Sequence, residues 1–419
     1  MLDIQSIRKD FPTIQPDSIY LDSAASSLTP FPVLEAMSDY YMHHRTNLHR
    51  GMHKQAMETA KKFDAAMENI ANFIGAQVEE ISITTNATYA INQVALSLDF
   101  REGDEVIVST LEHSSNILPW LRLVKKEGIV VRWWVANPDG SLDPEKLNEL
   151  LTDKTRLVAL THVSNVLGSI TPVASIGKIC NERGILYLID ACQSIPHLPL
   201  NVKLIGCDFL AFSGHKMCGP TGIGVLYLKS SLAQQLVPAF IGGGSINTYR
   251  TRYDALENCT VDSFPFSDLP HKWIAGTPPI AETLGLSAAI DYLMAIGMDA
   301  IVQHDLRLLA QTIAGLREIP GVVIFGPDQL DQRSAIVSFN ITGLYPLKVG
   351  RILTEEFDIG LRAGHHCALN YFHEVQPKNM VEGNVRASFY LYTTSEEIER
   401  FLSAVKIIAT TRVKQTVRG

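Results

Sequence analysis

The sequence predicts an α/β protein: a large domain with a mainly parallel sheet covered by helices, followed by a small α+β domain at the C-terminus. Three observations predict it. Between Ile81 and Leu228, short apolar runs alternate with stretches of helical spacing, as in a sheet with helices on both faces. After Ala239 that alternation stops. The chain has 419 residues and is 46% apolar, enough for one large core and a smaller one. We expect residues 1–17 to be an N-terminal segment packing on the small domain, 18–285 the large domain and 286–419 the small one.

In chain order, residues 1–16 read as a short helix ending near Pro12. YLDSAASSLTP (20–30) is a strand end followed by small residues that let backbone approach a ligand or simply turn. Val33–His44 and Lys54–Ile74 have helical spacing, with the basic loop HRGMH (49–53) between them. Ile81–Ile83 is a strand, then a Thr/Asn-rich turn, then a helix carrying Ile91, Val94 and Leu98. A strand, such a turn and a helix N-terminus can seat an anion or merely form an N-cap. Strands follow at Val106–Ser109, Val130–Val135, Leu157–His162, Ile185–Ile189, Phe209–Phe212 and Val225–Leu228. Helices lie near 116–127, 144–152, 173–183 and 230–237. No GxGxxG follows the first strand, which disfavours a dinucleotide fold. Past the Gly-rich IGGGSI (241–246) and AGTPP (275–279), helices are expected at Ile280–Met294, 300–317, 347–356 and 395–408. Strands are expected at Val322–Phe325, Ala335–Ile341 and VRASFYLY (385–392).

The net charge is −8, which argues against a wide nucleic-acid surface. The six cysteines form no C-x-x-C pair and several sit in apolar runs, the usage of a reducing compartment. MLDIQSIRKDFPTIQ has no basic start followed by an apolar block, and no uncharged stretch has the length to span a bilayer. We therefore expect a cytoplasmic protein with no membrane or nucleic-acid partner.

The chemistry is expected around FLAFSGHKMCGPTGIGVLYL (209–228). Lys216 sits among glycines beside buried strands, and an amine that loses hydration there is a usable nucleophile toward a carbonyl. Asp190 ends the apolar run ILYLID, where α/β sheets present functional carboxylates, though it can also cap the next helix. The two together suit pyridoxal 5'-phosphate, held by Lys216 as a Schiff base with Asp190 on the pyridine nitrogen. His113, between a strand and a helix, can stack on a planar ring and relay protons. Asn165 can bind a carboxylate or make a turn, and Arg386 offers a fork for a carboxylate. Cys367 lies in RAGHHCA, where Arg362, His365 and His366 are cations that would favour a thiolate. A His-His-Cys metal site there lacks a fourth ligand, so no metal is expected.

In family order, YLDSAAS, HRGMH, EHSSNILPW, SNVLGSITP, LIDACQS, FSGHKMCGPTGIG, GGGSI, AGTPP, RAGHHCA and VRAS span nearly the whole chain. On these motifs it resembles the cysteine desulfurases of the class-V aminotransferases, in their group II (Suf-type) branch. The resemblance implies fold type I of the pyridoxal-phosphate-dependent transferases and a homodimer. It implies that Lys216 carries the cofactor, Asp190 pairs with the ring nitrogen, Gln193 with the ring hydroxyl, and His113 stacks and acts as acid or base. It gives the phosphate to Ala87, Thr88, Ser213 and His215, and to Thr277 from the partner subunit. Asn165 and Arg386 would bind the carboxylate of L-cysteine, and Cys367 would take its sulfur as a persulfide, leaving L-alanine.

The short stretch 368–385 between Cys367 and the Arg386 strand is similar to group II enzymes, which rely on a SufE- or SufU-like acceptor in Fe–S cluster or other sulfur-cofactor assembly. Asn86-Ala87-Thr88 departs from the family's Gly-Thr-Thr and loses one hydroxyl. AGTPP is followed by IAE instead of small polar residues. A cysteine or cystine C–S lyase, a selenocysteine lyase, or a non-catalytic cofactor-binding scaffold would use the same fold.

Overall fold

A computed structural model describes residues 2–48, 51–247, 256–376 and 382–416. His49 and Arg50 of the HRGMH loop lie outside them. In chain order the strands are β1 (Ile19–Tyr20), β2 (Ile81–Thr84), β3 (Glu105–Ser109), β4 (Val130–Trp134), β5 (Thr155–Thr161), β6 (Leu186–Asp190), β7 (Phe209–Ser213), β8 (Gly224–Leu228), β9 (Val322–Phe325), β10 (Ile336–Ile341), β11 (Ile359–Gly360), β12 (Arg362–Gly364) and β13 (Asn384–Ser388). The helices are α1 (Ile4–Arg8), α2 (Phe31–Asp39), α3 (Lys54–Phe73), α4 (Ala87–Ser97), α5 (Leu118–Glu127), α6 (Pro144–Leu150), α7 (Val173–Arg183), α8 (Val202–Ile205), α9 (Ser230–Gln235), α10 (Ile280–Ile296), α11 (Met298–Arg317), α12 (Pro346–Phe357), α13 (Leu369–Glu374) and α14 (Ser395–Thr416).

Among the described residues the main sheet has seven strands in the order β2-β8-β7-β6-β5-β3-β4, and β8 runs against its neighbours. The central strands are buried on both faces, which is why they read as unbroken apolar runs and not as alternating ones. Apolar residues of α4, α5 and α9 cover one face. Those of α3, α7, α8 and α10 cover the other. Left-handed Gly128, Gly184 and Gly206 end α5, α7 and α8, as expected of C-terminal helix stops.

The second sheet is antiparallel, β12-β13-β10-β9, and shares an apolar core with α11, α12 and α14. Helix α10 runs through residue 285, and its buried side chains belong to the core of the main sheet. A 74° bend separates it from α11. Among the described residues no single helix is long and apolar enough to cross a membrane; α10 and α11 pass that test only as a bent pair.

The two sheets are stitched together just after β5. Ser334 N–H donates to the Gly168 carbonyl at 2.8 Å, Ile170 N–H to that of Gln332 at 3.0 Å, and Ser338 Oγ to that of Val166. The N-terminal segment is held by Arg8, which pairs with Glu397 at 2.9 Å, and by Phe11, edge-on to Tyr292 and Tyr392.

Several element boundaries differ from expectation; the helix expected over Val33–His44 is α-helical only to Asp39, with a π-helical turn over Tyr40–His44. The first helix spans Ile4–Arg8 alone. The strand expected to reach Tyr392 stops at Ser388, because the Thr393 hydroxyl accepts from Tyr390 N–H and bends the chain. The last helix continues beyond 408 to Thr416.

Candidate active site

A cleft of about 430 Å³ opens at the C-terminal ends of β3, β5, β6 and β7, where α/β sheets place their ligands. Lys216 and Asp190 both line it, with Ala87, Thr88, His113, Asn165, Gln193, Ser213, His215 and Arg386. Of the expected site residues, Thr277 and Cys367 are not in its lining; Thr277 is exposed in the loop before α10.

Lys216 closes a one-turn 3-10 helix directly after β7. That turn is tied down by the His215 carbonyl, which accepts from Ser27 N–H at 2.9 Å and Ser27 Oγ at 3.0 Å. The small residues of YLDSAASSLTP thus serve the lysine turn, and Ala24 and Ala25 line the cleft. Asp190 is buried, and one of its oxygens accepts from Cys192 N–H at 3.0 Å. Gln193 donates to the Ala24 carbonyl, and its own oxygen is buried without a partner.

At the other end of the cleft, Asn86 caps α4, its side chain accepting from Tyr89 N–H. Ala87 N–H donates to Ser213 Oγ at 2.9 Å. A Cβ on Gly224 would fall 2.5 Å from Asn86 Cα, so β8 can pass this helix start because it carries glycine there. His113 Nδ1 accepts from Ser115 N–H at 3.1 Å, which places the ring proton of the neutral form on Nε2. Burial, and then the Lys216 charge, push His113 below the usual histidine range. The same two causes push His215 down to about 4.

Arg386 is buried and mostly engaged. Its Nη2 meets Asp22 at 2.8 Å, its Nη1 donates to the Asn165 carbonyl at 2.8 Å, and Nε has no partner among the described residues. Asn165 Nδ2 donates to the His366 carbonyl at 2.7 Å. The expected carboxylate pair is therefore also the strap that holds the loop carrying Cys367.

That loop is clamped a second time. Ser114 N–H and Oγ both donate to the Cys367 carbonyl, at 2.8 and 2.9 Å. His366 and Cys367 have φ of +52° and +61°, the left-handed region that non-glycine residues visit at a cost of on the order of 1–3 kcal/mol each. The Cys367 side chain is exposed, beside a cleft lined by Arg362 and His366. One expectation is corrected here: His366 is not a cation. Burial pushes it down to about 3, and its Nε2 donates to Asn384 Oδ1 at 2.8 Å.

Thr85, Asn86, Ser115, Thr161, Cys192, Thr221, Gly222 and Arg362 complete the lining without having been expected as binding residues. Thr221 and Gly222 follow the lysine in GPTGIG and Arg362 opens RAGHHCA, so their motifs carried the signal. Cys192 carried none. Its thiol is pushed up to about 12, chiefly by burial and then by Asp190, so the cysteine that lines the cleft is no ready nucleophile.

Glu112, next to His113 in sequence, is fully buried, with Ser109 Oγ and Asn116 Nδ2 donating to it. Burial outweighs those donors and pushes its carboxyl up to about 8. The folded protein then holds a proton that the unfolded chain releases above about 4.5. Stability must fall as pH rises from there to about 8. Glu112→Gln should remove that slope, changing relative stability by on the order of a few kcal/mol between pH 5 and 8. Thermal unfolding of both proteins across this range checks it; equal slopes would contradict the raised carboxyl.

The cleft fits pyridoxal 5'-phosphate on its own donor set: an amine for the aldehyde, a carboxylate for the ring nitrogen, and an unpartnered Gln193 oxygen. It also offers helix-start N–H groups with serine and threonine hydroxyls for an anion.

Residues 19–401 match the aminotransferase class-V family model. The chain is 39% identical to a probable cysteine desulfurase of Streptomyces coelicolor, over 97% of each chain. Among solved structures it is similar to the apo cysteine desulfurase of Thermococcus onnurineus NA1, with a TM-score of 0.90 and 38% identity over 98% of each chain. It is also similar to the cysteine desulfurase CsdA of Escherichia coli in an S-sulfonic acid form, with a TM-score of 0.86 and 32% identity over 99% of each chain.

Proposed function

Because the chain belongs to the class-V aminotransferase family, we propose that this cleft is the active site of a pyridoxal-phosphate-dependent cysteine desulfurase, releasing L-alanine from L-cysteine and keeping the sulfur on Cys367. The observation that carries this reading is the clamp of the Cys367 loop onto Ser114 and Asn165, which ties an exposed thiol to the rim of the cleft that holds Lys216 and Asp190.

When bound, pyridoxal 5'-phosphate supplies an aldehyde that condenses with amines and a ring that takes up the electrons left when an α-carbon loses its proton. Lys216 Nζ would hold it, Asp190 would keep its ring nitrogen protonated, and Gln193 would meet the ring hydroxyl. Ala87, Thr88, Ser213 and His215 would hold the phosphate. Arg386 and Asn165 orient the substrate carboxylate, and Lys216 Nζ moves the α-proton. His113, neutral at working pH, exchanges a proton at Nε2. Cys367 Sγ, as thiolate, attacks the substrate sulfur, so that an S–S bond forms as the Cβ–S bond breaks and its electron pair stays with carbon; Cβ then takes one proton and Cα takes back the one it lost, and the product leaves as alanine.

The reading extends to a homodimer, which the exposure of Thr277 outside its own cleft supports, to a SufE- or SufU-like acceptor for sulfur-cofactor assembly, and to the cytoplasm. It is tested by assaying alanine and sulfide from L-cysteine with and without such an acceptor. Equimolar alanine and enzyme-bound sulfur support it; pyruvate with free sulfide would favour a C–S lyase instead.

Arg386→Lys should raise the KM for cysteine about tenfold to hundredfold with a smaller change in kcat. Lysine keeps the charge but loses the fork, along with the bond to Asp22 or to the Asn165 carbonyl. Steady-state kinetics with varied cysteine check it.

A further inference from the structure

Three side chains form a continuous line across the cleft. Thr88 Oγ1 lies 2.6 Å from Ser115 Oγ, and Ser115 Oγ lies 2.9 Å from His113 Nδ1. Thr88 stands in the first turn of α4, and all three residues line the cleft. We propose that Ser115 is a positioning residue that passes the state of the anion seat at α4, through Thr88, to the tautomer of His113. This rests on the reading that the cofactor's phosphate occupies that seat.

The argument is a count of protons. Each hydroxyl has one to give. With the seat empty, Thr88 can donate to Ser115 and Ser115 to His113 Nδ1, which also accepts from Ser115 N–H. The ring proton then sits on Nε2. With a phosphate present, Thr88 donates to the anion, because a charge-assisted bond is about twice as strong as a neutral one. At 2.6 Å two oxygens need a proton between them, so Ser115 donates to Thr88, and its remaining lone pairs face His113 Nδ1. Two acceptors cannot bond, so Nδ1 takes the proton and donates it to Ser115 Oγ, at the expense of the Ser115 N–H contact. Nε2 is left as an acceptor. The filled seat turns His113 from a proton donor at Nε2 into a base. Lys216, Asp190, Arg362 and Arg386 also act on the ring, and they do so whether or not the phosphate is present.

The test compares the full-length protein loaded with pyridoxal, which lacks the phosphate, with the same protein loaded with pyridoxal 5'-phosphate. Nitrogen-15 spectra of labelled histidine report the tautomer, with His113 assigned by its loss in His113→Gln. We expect Nε2–H in the first form and Nδ1–H in the second. Ser115→Ala should show the same tautomer in both, and Ser115→Thr should restore the switch. An unchanged tautomer in the native protein, or a switch that survives in Ser115→Ala, overturns the relay. The Thr88 amide resonance separates the causes. If it moves with the phosphate while His113 does not, the relay alone fails. If it does not move, the phosphate seat is wrong and the relay falls with it.

Discussion

Lys216→Ala is expected to lower desulfurase turnover by on the order of 10³-fold or more, since on the proposed reading it removes both the amine that would hold the cofactor and the base that would move the α-proton. Among the described residues Lys216 is the one lysine that lines the cleft, and its turn is fixed by Ser27 on the His215 carbonyl, so no described amine replaces it. The variant should still fold, because the lysine side chain is not in the apolar core. The measurement is borohydride reduction followed by peptide mapping. The native protein should carry cofactor on the 209–228 peptide and the variant none. Cofactor fixed to another lysine at native yield would show that the site has been assigned to the wrong amine.

Cys367→Ser should cut alanine formation by at least about 10²-fold and abolish protein-bound persulfide, while the cofactor's absorbance stays as in the native protein. The separation follows from the geometry: Cys367 is outside the cleft lining and contributes its carbonyl, not its thiol, to the clamp with Ser114. A serine can keep that carbonyl bond and lose the sulfur chemistry. Mass spectrometry of the loop peptide after a short exposure to cysteine reads the persulfide directly. Undiminished turnover in the variant would discard the desulfurase reading in favour of a lyase on the same fold. Cys192→Ala is the control, and its activity should remain close to native, because its raised thiol is not a sulfur acceptor.

Much of the molecule was legible in the sequence because its central strands are buried on both faces and punctuated by Gly and Pro. Strands β2 to β8 fall within a few residues of their apolar runs. The residues at their C-terminal ends, His113, Asn165, Asp190 and Lys216, were found by position in that pattern as much as by type. What escaped was set by long-range partners. The Tyr390–Thr393 turn ends a strand whose composition would continue it. His366 reads as a cation next to Cys367, yet burial, and then the Arg386 charge, keep it neutral. Asn165 and Arg386 read as free ligands for a carboxylate, and the fold makes them hold each other and the Cys367 loop as well. Ser115 gave no signal at all, since a serine in EHSSN is an ordinary helix-start residue until Thr88 is seen beside it.

The side chains of the cleft gather at one rim of the seven-stranded sheet, and the turns at the opposite rim bear none of them. Those turns, at Glu102–Gly103, Asp153–Lys154 and Arg183–Gly184, enter β3, β5 and β6 from behind, and a Cβ on Gly184 would meet nothing within 4 Å. A fluorescent tag or an affinity peptide spliced between Arg183 and Gly184 would ride on the back of the enzyme, leaving cofactor loading and sulfur transfer at native rates.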